Sequence, residues 1–310
     1  MPTPSARKQA AREYQRAHGV SYTAALRAVA VHAAVDRDED LRAKAFLDAL
    51  GIDAVDEFDP TEGWGRRAGD PALRLPVGVL VDRPDEVVSA EFSAEYAVWA
   101  VAGAACTGKS VALEGLALAM CALYPPSRVT LACLDLKGAT FSRVVDLPHV
   151  VCSRQRDQRD PAIIDATDFY AAVNAELDRR AAMQGERLAA EPDFIVLIDA
   201  FDELSLFDTE ALAVYSRLVT DGPPLGVRVV VASMRHEVYG DGPAPLRADA
   251  VVVFRLHSAA SSVAFLGGPE ATTLPLREQA YVRGAANSGP VRMFYAPPVA
   301  SGLSRRIRGR

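Results

Sequence analysis

Gly103 to Ser110 reads GAACTGKS, which fits the spacing G-x-x-x-x-G-K-[ST]. The apolar run VWAVAG, positions 98–103, leads into it, and a helix-forming stretch opens at Ser110. That strand-then-helix setting is the one this spacing requires. Glycines let the loop curl until backbone N–H groups face a β-phosphate, and the helix N-terminus adds partial positive charge. The residues assigned to the cradle are Gly103, Ala104, Ala105, Cys106, Thr107, Gly108, Lys109, Ser110 and Val111. Lys109 is expected to reach the β/γ oxygens and the Ser110 hydroxyl to hold Mg²⁺.

Outward from this loop, short apolar runs alternate with helical stretches: VTLACLDL (129–136), FIVLIDA (194–200), VRVVVAS (227–233) and VVVFRLH (251–257). Such alternation predicts βαβ units and a mainly parallel sheet covered by helices on both faces. The expected fold class is α/β, a RecA-like P-loop domain over residues 73–300. Ahead of it, residues 1–55 carry helical patterns. Ala11 to Gly19 ends in glycine, and Ser21 can cap a helix whose Leu26, Val29 and Ala33 share a face. A third pattern, DLRAKAFLDALGI, also stops at glycine. Residues 56–72, rich in Gly, Pro, Asp and Arg, read as a linker, and residues 301–310 as a basic tail.

A phosphate cradle needs a carboxylate at the end of a neighbouring strand to complete its metal site. Asp135, ending LACLD, and Asp199, ending FIVLID, both qualify, and spacing alone does not separate them. The acidic cluster Asp202 and Glu203 after Asp199 favours the latter.

Composition bounds the rest. The chain has 310 residues, 50% hydrophobic and 24% charged, with a formal net charge of -6. This is an ordinary globular make-up and gives no global reason to expect nucleic-acid binding. Both ends are basic, with Arg7, Lys8, Arg12 and Arg16 at one and Arg305, Arg306, Arg308 and Arg310 at the other; they read as solvated tails. Cys106, Cys121, Cys133 and Cys152 lack metal-ligand spacing and read as reduced thiols. His18 and His32 have no companions at ligand spacing, and His149 reads as a structural turn residue. With no run of about 18 apolar residues and no leader pattern, a cytoplasmic protein is expected, reaching a membrane only through a partner.

From about Leu75 onward the chain resembles the FtsK/SpoIIIE superfamily of ring-forming P-loop ATPases, and within it the ATPase domains of type VII secretion motors, the EccC family. The likeness rests on LPVGVLVDRP (Leu75–Pro84), LDLKGATFSRVVDLPHV (Leu134–Val150), AELDRRAAM (Ala175–Met183), LGVRVVVAS (Leu225–Ser233) and FRLHSAASSVAFLGGPEATTLP (Phe254–Pro275). The resemblance implies ATP and Mg²⁺ as cofactors, Lys109 and Asp199 as catalytic residues, and Ser110 with Asp199 as the metal ligands. It also implies departures. Ala200 stands where the family keeps a glutamate that activates water. Met234 replaces a polar residue near the γ-phosphate, and a thioether is a poor hydrogen-bond partner. The turn Asp221-Gly222-Pro223-Pro224-Leu225-Gly226 lacks an interface arginine, leaving Arg235 and Arg255 as the arginines available to a neighbour.

These features support two expectations. One is an oligomeric motor subunit, acting on secreted protein or double-stranded DNA and weakened in hydrolysis, with homologous full-strength ATPase subunits as possible ring partners. Asp202 or Glu203 would then be the only substitutes for the missing glutamate, and only through an unusual turn after the strand. The other is a degenerate domain that keeps ATP bound and docks partners. A C-terminal winged helix, as in many DNA translocases, has no room in this chain.

Overall fold

The computed structural model describes residues 4–156, 165–203, 208–234, 248–284 and 289–309. Arg235 and Arg310 lie outside the described residues, as do the side chains of Arg7 and His32.

The apolar runs become parallel strands β3 (Val98–Ala102), β4 (Val129–Asp135), β5 (Val150–Gln155), β6 (Asp193–Asp199), β7 (Val227–Ser233) and β8 (Ala250–Phe254). They line up as β8-β3-β7-β6-β4-β5. Alternate side chains of one strand serve different cores. Ile195 and Leu197 of β6 join one buried cluster, while Phe194, Val196 and Ile198 join another on the opposite face. A strand buried on both faces must be apolar throughout, which is why these runs show no alternation. Helix α4 (Lys109–Leu123) fills the first face; α5 (Thr167–Ala181) and α7 (Thr209–Thr220) fill the second.

The sheet is longer than the parallel reading implied. Among the described residues it has ten strands: β1 (Leu73–Leu80), β2 (Val87–Phe92), β9 (Gln279–Arg283) and β10 (Pro290–Met293) extend it antiparallel beyond β8, in the order β2-β1-β10-β9-β8.

Three expectations outside the sheet need correction. The second and third helical patterns fuse into one 29-residue helix, α2 (Tyr22–Leu50), behind α1 (Pro4–His18). No glycine or proline interrupts Val35 to Leu41, and the DRDED run is only partly covered. Ser21 caps α2 as expected, accepting the Ala24 N–H at 3.2 Å, and Gly51 ends it at φ +74°.

The 56–72 stretch is folded, not a linker. It forms α3 (Pro60–Arg67), whose Trp64 Nε1 donates to Cys121 O at 3.1 Å and whose indole meets the His149 ring edge-on at 5.5 Å. The indole brings enough apolar area to hold a polar segment against α4.

The 301–310 basic tail is mostly helix α9 (Pro297–Arg308), with Leu303 and Ile307 fully buried. Its arginines sit on the helix rim: Arg306 donates to Phe58 O at 2.7 Å and Arg308 pairs with Asp146 at 3.0 Å. At the other end, Lys8, Arg12 and Arg16 are exposed on α1.

Candidate nucleotide-binding site

The loop between β3 and α4 is shaped by contacts that its sequence requires. A Cβ on Gly103 would lie 2.7 Å from Thr107 Oγ1 and 2.8 Å from Phe254 Cβ, so only glycine fits there. Gly108 adopts φ +112° as the N-cap of α4. Cys106 takes the left-handed region too, at φ +59°. Ala104 N–H donates to Arg255 O at 2.8 Å, so Arg255 braces the loop through its main chain.

Lys109 is buried and folds back over the loop, donating to Gly103 O at 2.8 Å and Ala104 O at 2.7 Å. Burial, aided by the nearby Lys137 ammonium, pushes its pKa down to about 8 against the pull of Asp199 and Asp202. A desolvated ammonium of this kind gains strongly from an incoming phosphate charge.

The two competing aspartates separate clearly. Asp135 accepts only main-chain N–H groups in its own turn: Oδ1 takes Lys137 (2.9 Å) and Gly138 (2.8 Å), and Oδ2 takes Thr140 (2.7 Å) and Phe141 (3.4 Å). Asp199 instead faces the loop. Its Oδ2 accepts from Ser110 Oγ at 2.7 Å and Thr140 Oγ1 at 2.6 Å, and its Oδ1 from Lys137 Nζ at 3.3 Å.

Lys137 also donates to Ser110 Oγ at 3.0 Å, so its ammonium stands beside both oxygens. The site therefore already favours a cation at that point. Its donors are hard oxygens with one carboxylate, which suits Mg²⁺, an ion that completes its shell with waters and phosphate oxygens. Among the described residues, no cluster of three or more His, Cys, Asp or Glu offers an all-protein cage.

Thr140 and Lys137 were not singled out from the sequence, although both lie within the run LDLKGATFSRVVDLPHV (Leu134–Val150). The signal was a strand-ending aspartate followed by a glycine and a threonine, a turn that Asp135 organises. That turn is tied back to α4 by Arg143, which grips buried Glu114 with two bonds of 2.7 Å.

Ala200 is buried and sits at φ +59°. Beyond it, Asp202 is buried and accepts the Met234 N–H at 3.2 Å, while Glu203 pairs with Arg156 at 2.7 Å. Met234 itself is half-exposed at the end of β7. His149 lies away from the loop, fully buried, with Nε2 donating to Tyr124 O at 2.8 Å. Burial pushes its pKa down to about 4, as expected for a neutral structural histidine.

A strand, a glycine loop and a helix, with a carboxylate two strands away facing the helix start, define a P-loop domain. Residues 72–184 match the model of the FtsK/SpoIIIE family. Beyond that segment the chain is similar to EccC secretion ATPases and shares the fold of their ATPase domains.

It is 29% identical over 249 residues to the ESX secretion system protein EccC of Thermomonospora curvata, covering 73% of this chain and 19% of the relative. It is 24% identical over 225 residues to the DNA translocase FtsK of Helicobacter pylori, covering 66% and 24%. The fold matches the cytoplasmic domain of the Thermomonospora curvata type VII secretion ATPase EccC with a TM-score of 0.71 at 24% identity, over 86% of this chain and 34% of that one. The chain thus spans less than a quarter of either curated relative. No helix among the described residues is long and apolar enough to cross a membrane.

Proposed function

We propose that this chain is an ATP-binding subunit of an FtsK/SpoIIIE-type translocation ring with a weakened hydrolytic site. The observation that carries the reading is the meeting of Ser110, Thr140 and Lys137 on Asp199 beside the Lys109 loop. In this reading Gly103 to Val111 cradle the phosphates, Lys109 neutralises the β/γ oxygens, and Ser110 with Asp199 would hold Mg²⁺. When bound, that ion supplies charge neutralisation for phosphoryl transfer.

Weakening follows from two side chains. The Ala200 methyl takes no proton, and the Met234 thioether is a poor sensor of phosphate. The cargo class favoured is a secreted protein, because the EccC relative is a secretion-system protein and covers more of this chain than the DNA translocase. Double-stranded DNA is the alternative, and homologous full-strength ATPase subunits are the expected ring partners.

A second reading, in which ATP is held as a structural element for docking partners, is favoured by the same Ala200 and Met234. Bound ATP would then stabilise the fold by mass action.

Incubation with radiolabelled ATP and Mg²⁺, followed by denaturation and identification of the bound nucleotide, tests both. Retained nucleotide that disappears in Lys109→Ala is expected. Absence of any retained nucleotide sinks both readings. Intact ATP with no phosphate release favours the docking module, and slow release favours the motor subunit.

A further inference from the structure

The backbone leaves β6 through a strained turn. Ala200 enters the left-handed region, where a non-glycine residue costs on the order of 1 kcal/mol. A single 3₁₀ turn, Phe201–Glu203, follows and is closed by Glu203 N–H donating to Ala200 O at 2.9 Å. The two acidic side chains that leave this turn go opposite ways across the sheet.

Glu203 reaches Arg156, just past β5, at 2.7 Å. That is the far edge of the parallel strands, away from the P-loop. Asp202 reaches the other way, to the Met234 N–H just past the end of β7. β7 is the direct neighbour of β3, with Ser233 paired to Ala102, the residue before the P-loop glycine.

We infer that Asp202 is the general base of this site, standing in for the carboxylate that position 200 lacks. The inference rests on the nucleotide-binding reading above. Asp202 is only 4% exposed, and its field is felt at Lys109, where it opposes the loss of the ammonium proton. One oxygen, Oδ1, is held by Met234. Oδ2 is the oxygen this inference assigns to the incoming water.

In the step assigned to it, Asp202 takes a proton from water as the water oxygen bonds to the γ-phosphorus. The bond from that phosphorus to the β,γ-bridging oxygen breaks, and its electron pair leaves on ADP. The proton is later released to solvent, so ATP and water give ADP, phosphate and one proton. The left-handed Ala200 is the device that brings a residue three positions past Asp199 back to the loop.

Asp202→Asn tests this in the full chain, because its amide oxygen still accepts the Met234 N–H while its basicity is gone. Two quantities are read: the rate at which bound γ-labelled ATP becomes phosphate in a single turnover, and the equilibrium affinity for a non-hydrolysable ATP analogue. The rate is expected to fall by about 10²-fold, the usual scale for general-base loss, with analogue affinity unchanged. Glu203→Gln is expected to leave both readings as they are, and Ala200→Glu in the Asp202→Asn background to restore part of the rate.

An Asp202→Asn rate equal to that of the unaltered protein overturns the inference. So does a loss of equal size in Glu203→Gln, or analogue binding by an unaltered protein that hydrolyses no faster than Lys109→Ala. Failure of the unaltered protein to bind the analogue overturns the nucleotide-binding reading itself, and this inference with it.

Discussion

Asp135 and Asp199 are register partners at the ends of adjacent parallel strands, yet their oxygens serve different ends. Asp135 closes a turn with four main-chain N–H groups, and Asp199 gathers the side chains of Ser110, Thr140 and Lys137. The first carboxylate builds the turn that delivers two partners of the second.

Asp135→Ala should therefore damage both stability and binding. Several N–H groups of a partly buried turn lose their acceptor, at a cost of about 2–4 kcal/mol in denaturant unfolding. Affinity for an ATP analogue should fall as well, because Lys137 and Thr140 lose their placement. Asp135→Asn, with one acceptor oxygen left, should lie between. Loss of stability with unchanged affinity would show that the turn does not position the site.

Lys137→Met removes the ammonium beside buried Asp199. The ion-free protein should lose about 1 kcal/mol, a modest figure because Lys137 is itself partly exposed. Mg²⁺ should then raise Tm by more than it does in the unaltered protein, since no resident ammonium competes for Asp199. A smaller Mg²⁺ response would show that Lys137 assists the ion and does not compete with it.

His149 predicts a defined acid sensitivity. Its folded pKa is about 4 against 6.5 for the free side chain. Between those values the unfolded chain binds a proton that the folded protein does not, so stability falls as pH drops from 6.5 to 4. The loss from this group approaches about 3 kcal/mol at pH 4. His149→Gln keeps an N–H donor for Tyr124 O and should remove that part of the slope. Urea unfolding of both proteins at pH 7, 5 and 4 measures the difference, and parallel curves would contradict the assignment.

Ile307→Ala tests the docking of α9. Ile307 is fully buried, so truncation should cost about 2–4 kcal/mol. A solvated tail would show a change within about 0.5 kcal/mol. Trp64→Ala applies the same test to α3, with loss of the bond to Cys121 O and of the contact with His149.

Taken alone, the amino-acid sequence determined the P-loop motif, the parallel strands and the resemblance to FtsK/SpoIIIE proteins. Each is encoded within a few consecutive residues: glycine and lysine spacing in Gly103 to Ser110, and unbroken apolar runs where a strand is buried on both faces. The short antiparallel strands were not legible in the same way. β10 is only Pro290–Met293, and it exists because β1 and β9, distant in the chain, flank it. The docking of Trp64 and Ile307 depends likewise on partners far away, so polar stretches around them read as a linker and a tail.

Which of the two aspartates faces the loop is a matter of tertiary structure. Both end apolar strands at the same level, and only the order β3-β7-β6-β4 brings Asp199 one strand closer to the loop than Asp135. The directions of Asp202 and Glu203 were decided in the same way. They are consecutive in the chain, and the positive φ of Ala200 with the turn after it sends one toward β7 and the other toward Arg156. Strand order and a single backbone angle are long-range outcomes of packing, which the local pattern of residues does not carry.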